Sequence, residues 1–396
     1  MSPLKNPFSP GAGTQPPELA GRAELREALR VAMQRARTGL AAKCTVLTGL
    51  RGVGKTVLLD RVRLDAEDAG LQTVRLEAPE DRSLPGMLLP ELRQALLRLS
   101  RTSTAQDLAR RALRGLASFA KAMKVKYGDI EVGLDLEPEA GLADNGDLEQ
   151  DLQMLMEATG RAAAAAESAA ILFIDEVQYL RQKELAALIT TLHRMAQRSL
   201  PVLMIGAGLP QVPGLMGKAK SYAERLFDFP NIGPLPREAA FAAIERPVTS
   251  QGMAIDSDAL ELIYEQTHGY AYFLQEWGKH SWDAALASPI RKKDVQTAST
   301  TAVAALDDSF FRVRFDRLTP LEKRYLRAMA ELGEGPHRSG DVAEAMGREV
   351  TALGPVRNKL VAKGMIWSPS HGDTAFTVPR FDEFMRCMMP GEDWNE

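Results

Sequence analysis

Cysteine, long apolar runs and net charge are all scarce in this chain, and each scarcity excludes a class of protein. Two cysteines among 396 residues, Cys44 and Cys387, cannot make a disulfide framework. A reducing, cytoplasmic setting is therefore expected. The uncharged stretch over residues 201–217 is broken by three prolines and four glycines, so it predicts a strand followed by a loop and no membrane span. The first residues, from Met1 to Phe8, contain no apolar signal core, so no leader is expected. A net charge of −3 gives no global field toward nucleic acid, and any such contact must come from a local patch.

What is present suits packed cores. Hydrophobic residues make up 45% of the chain and charged residues 26%, and the length suffices for two or three domains. One stretch organises the rest. Gly49, Leu50, Arg51, Gly52, Val53, Gly54, Lys55 and Thr56 match the phosphate-loop pattern G-x-x-x-x-G-K-[ST] at every fixed position. A short apolar strand is expected over 43–48, and a helix from Val57 onward. Glycines let the backbone wrap a polyphosphate, and a helix N-terminus aims amide hydrogens at it. In this pattern Lys55 neutralises β- and γ-phosphate oxygens, and Thr56 is a magnesium ligand. The expected ligands are thus ATP or ADP with Mg2+.

The second chemical motif is the run Ile171, Leu172, Phe173, Ile174, Asp175, Glu176. Four apolar residues predict a buried parallel strand, and α/β sheets place their ligands at the C-terminal ends of such strands. Asp175 would hold magnesium, and Glu176 would orient and polarise the attacking water. The two motifs lie far apart: 120 residues separate Lys55 from Asp175. The extra length is expected in an insertion over about 103–147.

Taken in order, residues 1–20 are rich in proline and glycine and predict no regular structure. A helix is expected from Arg22 to about Arg37. Arg22 is open to two roles, a contact to base or ribose and a solvated helix start. A strand over 72–77 and a helix over 84–99 follow. Residues 108–126 hold six basic and no acidic side chains: Arg110, Arg111, Arg114, Lys121, Lys124 and Lys126. Leu108, Ala112, Leu116 and Phe119 are expected to form the buried stripe of that helix. Alternating apolar residues on both sides of Gly128 and Asp129 predict a hairpin. An acidic loop over 138–147 follows. The basic face has two open roles, contact to nucleic-acid phosphates and pairing with that loop.

Further on, helices are expected over 148–166 and 184–197, with a buried strand over 201–206. Arg225 is open to a phosphate contact in its own chain, a phosphate contact across a subunit interface, or a plain surface role. From Pro236 the strand signals stop, and short helices over 236–308 predict a small helical lid. Residues 309–396 predict three helices followed by a hairpin, the order of a winged helix. Arg348, Arg357, Lys359 and Lys363 lie on or near its expected recognition helix, while its hairpin tip has only His371. Double-stranded DNA is the expected partner of such a domain, with protein docking as the alternative. The expected division is therefore an extended segment 1–20, an α/β core 21–235, a lid 236–308 and a winged helix 309–396.

With these residues in view the chain resembles the STAND-like and origin-recognition-like AAA+ ATPases of bacteria and archaea, over roughly residues 7–390. The resemblance rests on Gly21 and Arg22, the stretches 49–56, 171–176, 206–210 and 269–273, and the C-terminal domain. It implies a parallel-sheet P-loop core, Mg2+-dependent ATP turnover by Glu176, Lys55 and Arg225, and nucleotide contacts from 49–57, Arg22 and Asp175. It also implies a homo-oligomer or a protein partner for an ATP-driven switch. Two departures stand out. Gly206, Ala207 and Gly208 occupy the place of a polar γ-phosphate sensor, and Gly269, Tyr270, Ala271, Tyr272 and Phe273 lack the proline or arginine of the usual lid motif. Slow hydrolysis and an apolar lid contact to adenine are the expected consequences.

Overall fold

The computed structural model describes residues 2–11, 13–78, 82–125, 137–391 and 394. The expected hairpin around Gly128, with Lys126, lies outside them. The chain divides into two compact units. One comprises Arg22–Gly49 and Lys55–Ile232; the other comprises Met1–Gly21, Leu50–Gly54 and Gly233–Glu396.

The first unit is a parallel sheet with helices. Its strands are β1 (Cys44–Thr48), β2 (Gln72–Glu77), β3 (Ala170–Asp175), β4 (Val202–Gly208) and the two-residue β5 (Phe227–Asp228). They are ordered β2-β3-β4-β1-β5, and every pairing is parallel. β1, β4 and most of β3 are buried throughout, as the uninterrupted apolar runs require of strands covered on both faces. Cys44 is part of this core. Burial pushes its thiol up to about 12, against a lowering hydrogen bond from the Met204 amide, so it stays protonated and inert.

The basic helix runs over Gln106–Ala122 and packs against the helices Leu84–Leu99 and Leu148–Ala165. Its buried stripe differs from the expected one. Ala109, Ala112, Leu113, Leu116 and Phe119 are inside, whereas Leu108 is exposed. The helix starts at Gln106, and rotation about its axis puts Ala105 and Ala109 on the inner face, leaving Leu108 just outside the apolar arc.

The second unit begins with the N-terminal segment, which is not loose. Phe8 is only 4% exposed. Its ring lies so close to Gly278 that a Cβ there would come within 2.7 Å. The Asn6 side chain donates to the Lys279 carbonyl at 3.0 Å, and the Trp282 indole donates to the Ser2 carbonyl at 3.0 Å. Four helices follow, where the lid was expected: Arg237–Ser250, Ser257–Thr267, Ala271–Ala284 and Lys292–Ala305. A π-helical turn, Leu306–Phe311, then leads into the short helix Arg312–Asp316.

The C-terminal part has helices Pro320–Glu331, Ser339–Ala345 and Val350–Ala362. Its sheet comprises β6 (His337–Arg338), β7 (Ile366–Trp367) and β8 (Asp373–Phe376), in the antiparallel order β6-β8-β7. A capping box starts the first helix: the Thr319 hydroxyl accepts from the Glu322 amide, and the Glu322 carboxylate accepts from the Thr319 amide. The third helix begins five residues before the expected proline start at Pro355, which the helix tolerates in its second turn. β6 and the last helix, Phe381–Met388, are not among the expected elements, although Phe381, Phe384, Met385 and Met388 repeat at helical spacing; this helix packs on Pro320–Glu331.

All four tryptophans lie in this second unit, so their fluorescence reports its unfolding alone. Phe8→Ala removes a buried ring from it and is expected to cost about 3 kcal/mol. A tryptophan-monitored denaturant titration checks this; an unchanged midpoint would mean that the N-terminal segment adds nothing to that unit.

Candidate functional site

β4 lies between β1 and β3, so three parallel strands present their C-terminal ends side by side. Thr48 stands level with Gly208, and Ile174 with Gly206. The glycine loop leaves β1 at this edge, and the Gly49 amide donates to the Gly208 carbonyl at 3.2 Å. Asp175 and Glu176 leave β3 at the same edge.

The helix Lys55–Asp68 opens with Lys55, which is 8% exposed, followed by Thr56 and Val57. The Thr56 hydroxyl donates to the Asp175 carboxylate, and Lys55 lies within its electrostatic reach. Asp175 titrates above the usual carboxylate range. Burial is the main cause and the Glu176 charge adds to it, against lowering contributions from Thr56, the Glu176 amide and Lys55. A hydroxyl and a carboxylate in contact beside an ammonium suit a magnesium ion, which prefers a few protein oxygens and completes its shell with phosphate and water. Among the described residues no cluster of three or more histidine, cysteine or acidic side chains offers another metal site.

Glu176 has φ 53° and ψ 43°, a left-handed conformation that costs a side-chain-bearing residue roughly 1 kcal/mol. Its carboxylate accepts a hydrogen bond from the Gln178 amide, whose oxygen in turn accepts from the Leu209 amide at 3.0 Å. Gln178 thus ties the acidic end of β3 to the loop after β4. Gly208 makes room for it: a Cβ there would lie 2.8 Å from the Gln178 oxygen. At positions 206–208, which lack a polar side chain, the Gln178 amide arrives from the turn Val177–Tyr179 that follows β3. Sequence inspection passed over Gln178, although its place two residues after Glu176 was a usable signal.

Leu50–Gly54 cluster with the second unit, and their contacts there are specific. Gly52 and Gly54 have φ of 82° and 93°, the left-handed region that glycine reaches without strain. The Tyr272 amide donates to the Gly52 carbonyl at 3.0 Å. The Tyr270 ring covers Gly52 so closely that a Cβ would stand 2.8 Å from it. Val53 is buried, and the Arg51 guanidinium lies against Gly364, where a Cβ would come within 2.6 Å.

Arg22 is half-buried at the start of Ala23–Arg37, and burial lowers its pKa. Arg225 is exposed. It precedes β5, whose Phe227 pairs with Cys44, the first residue of β1. The glycine loop follows the last residue of β1. Arg225 therefore sits at the opposite edge of the sheet, about 13 Å of strand away.

Two domain families match the sequence. An AAA ATPase domain matches residues 18–205, and a domain of unknown function matches residues 308–385. No curated protein matches the chain. Among solved structures, the Walker-type ATPase PABY2304 of Pyrococcus abyssi is 17% identical. That match covers 96% of this chain and 99% of the other, with a TM-score of 0.62. The RuvB Holliday junction branch migration motor of Thermotoga maritima is 16% identical over 92% and 96% of the two chains, with a TM-score of 0.46. The Aeropyrum pernix ORC1 protein, solved with DNA, is 15% identical over 94% and 93%, at 0.43. Likeness at the first of these levels speaks to fold alone, and the other two carry no argument. The domain match over 18–205, the parallel five-stranded sheet and the glycine loop at its C-terminal edge show that this part of the chain is an AAA ATPase-like domain with a P-loop fold.

Proposed function

We propose that the chain binds and hydrolyses ATP and uses the cycle as a switch. The contact that carries this reading is the Thr56 hydroxyl on Asp175, with Lys55 and Glu176 beside it. Lys55, at the start of its helix, would meet phosphate oxygens together with the loop amides. Thr56 and Asp175 would hold Mg2+, which draws charge from the phosphates when bound. Glu176 would accept a proton from the attacking water and aim it at the γ-phosphate. Its bond to Gln178 holds that carboxylate in place between turnovers. Arg22 would contact the base or ribose.

Arg225 is too far round the sheet to reach a phosphate bound in its own chain. Its reading is a contact to nucleotide in a second copy, which makes a homo-oligomer the working form.

The C-terminal domain, read as a winged helix, would be the output. Its basic residues supply less than DNA contact requires. The Arg357 guanidinium donates to the Thr374 hydroxyl at 3.0 Å and to the Asp373 carbonyl at 2.9 Å, as well as to Ser368. Lys363 is held by Glu322 at 2.7 Å. On the basic helix, Arg111 and Arg114 bond Glu139 at 2.8 and 3.1 Å. Burial would raise Glu139, but these bonds outweigh it and hold the carboxylate below its usual range. Arg110, Arg348 and Lys359 remain exposed, and so does apolar Val350 at the start of the third helix. These positions favour a protein partner over duplex DNA.

Three outcomes test this account. Lys55→Ala is expected to weaken ATP binding by about two orders of magnitude, ~3 kcal/mol, whereas Glu176→Gln keeps affinity and slows turnover roughly 100-fold or more. Calorimetry and phosphate release read both, and full turnover by the E176Q variant removes Glu176 from its role. Arg225→Ala should lower kcat with little change in ATP affinity. In wild type the specific rate should rise with protein concentration; a rate independent of concentration and of Arg225 sinks the contact between copies. Duplex DNA should bind no tighter than about micromolar near physiological salt. Tight binding whose salt slope becomes shallower in R348E/K359E would restore the DNA reading.

A further inference from the structure

Two side chains at one end of the second unit have no part in the ATPase account. Leu4 is 98% exposed and Leu286 is 95% exposed, whereas among the described residues no other large apolar side chain exceeds 56%. Both belong to the C-terminal end of the helix Ala271–Ala284. Leu286 follows that helix by two residues. Leu4 lies between two anchors on it. On one side the Ser2 carbonyl accepts from the Trp282 indole at 3.0 Å. On the other the Asn6 side-chain amide donates to the Lys279 carbonyl at 3.0 Å and to the Asp283 carboxylate at 2.9 Å.

The backbone around both leucines is tied down. In the connection 285–291, Ala285 and Ile290 are buried. The Ile290 amide donates to the Ala254 carbonyl at 2.8 Å, and the Ala254 amide donates to the Ser288 hydroxyl at 3.0 Å. Leu286 therefore projects from an anchored loop, and Leu4 from the short 3-10 turn Pro3–Lys5. A leucine held in water forgoes the free energy that its burial would release.

Cations stand beside these tips. Lys5 adjoins Leu4, while Arg291, Lys292 and Lys293 open the next helix, which packs on Ala271–Ala284. All four are exposed, and among the described residues no carboxylate pairs with their side chains. The nearby acids are engaged elsewhere. Asp283 holds Asn6 and lies 3.8 Å from Lys279, and Asp294 accepts from the Arg291 backbone amide at 2.9 Å.

A folded protein partner calls for a contiguous apolar patch, usually with aromatic anchors. Here the neighbours Ser2, Lys5, Ala287 and Ser288 are small or polar. A bilayer imposes no shape to match. Single leucines enter its acyl layer while lysine and arginine stay level with anionic headgroups. No described helix is long and apolar enough to cross a membrane, so the contact is one with its surface.

We propose that Leu4 and Leu286, together with Lys5, Arg291, Lys292 and Lys293, form a docking surface for an anionic lipid bilayer. This does not depend on the ATP reading. Such docking is reversible and weakens with salt.

The test sediments the full chain with vesicles of phosphatidylcholine, with and without phosphatidylserine. Wild type should partition onto the phosphatidylserine vesicles about tenfold or more above the others, and lose that binding as salt rises to about 1 M. Leu4→Asn combined with Leu286→Asn should lower partition about tenfold or more at unchanged melting temperature, since both side chains stand in water. Lys292→Glu combined with Lys293→Glu should weaken binding to anionic vesicles and make its salt dependence shallower. Should the leucine variant fail to fold, the lysine variant decides, and wild-type binding by it overturns the proposal. An absence of vesicle binding in wild type also overturns it. So does equal binding by a folded leucine variant, which leaves charge attraction alone. If wild type ignores vesicles but forms a dimer that the leucine variant loses, the surface is a contact between copies and the proposal falls.

Discussion

A hydroxyl on Thr56 bonded to a carboxylate on Asp175 is the contact on which the proposed nucleotide site depends. The two residues are 119 positions apart, and each is placed by a different strand. Thr56 follows β1 through the glycine loop, whereas Asp175 ends β3. Neither strand pairs with the other, because β4 lies between them. The bond therefore exists only if three parallel strands end at the same level, which the register of Thr48 with Gly208 and Ile174 with Gly206 secures. Parallel pairing of this kind needs both faces covered, and the unbroken apolar runs of β1, β3 and β4 meet that need.

At the same edge a polar side chain from another segment fills the space that small residues leave. At positions 206–208 small residues leave no side chain to sense a phosphate. Gln178 enters the space that Gly208 frees and bonds both Glu176 and the Leu209 amide. In the second unit the segment 269–273 lacks an arginine, while Arg314 on the helix Arg312–Asp316 packs on Phe310, which stacks on Tyr272. Burying Arg314 next to Arg51 is unfavourable, and the Phe310 face offsets about 1–2 kcal/mol of that cost.

Much of the site was legible because its chemistry is local. Four fixed positions in eight residues specify the glycine loop, and an apolar run ending in two carboxylates specifies the end of β3. The strand over 72–77 and the helix over 84–99 have the bounds their periodicity implies, since period and burial agree there. The basic helix was harder. Its stripe is rich in alanine, which gives a weak apolar signal, so Leu108 drew the expected face toward itself and turned out exposed. Charge counts left the roles open for a related reason. For Arg111 and Arg114 one of the two expected roles was pairing with the loop 138–147, and Glu139 of that loop binds both; Arg357 and Lys363 are likewise bonded to partners many residues away.

By itself the sequence determined most of the elements and the phosphate-loop class of the first domain, because helix and strand periods, turn glycines and the phosphate loop are all properties of a few neighbouring residues. The tertiary structure alone decided which charges are available and which are spent. It put Arg225 at the sheet edge opposite the loop, bound Arg111 and Arg114 to Glu139, and brought Arg314 to a loop residue 263 positions earlier in the chain. The reason is physical: the field and hydrogen bonds at a side chain depend on what lies within a few ångströms, and in a folded chain those neighbours are mostly remote in sequence.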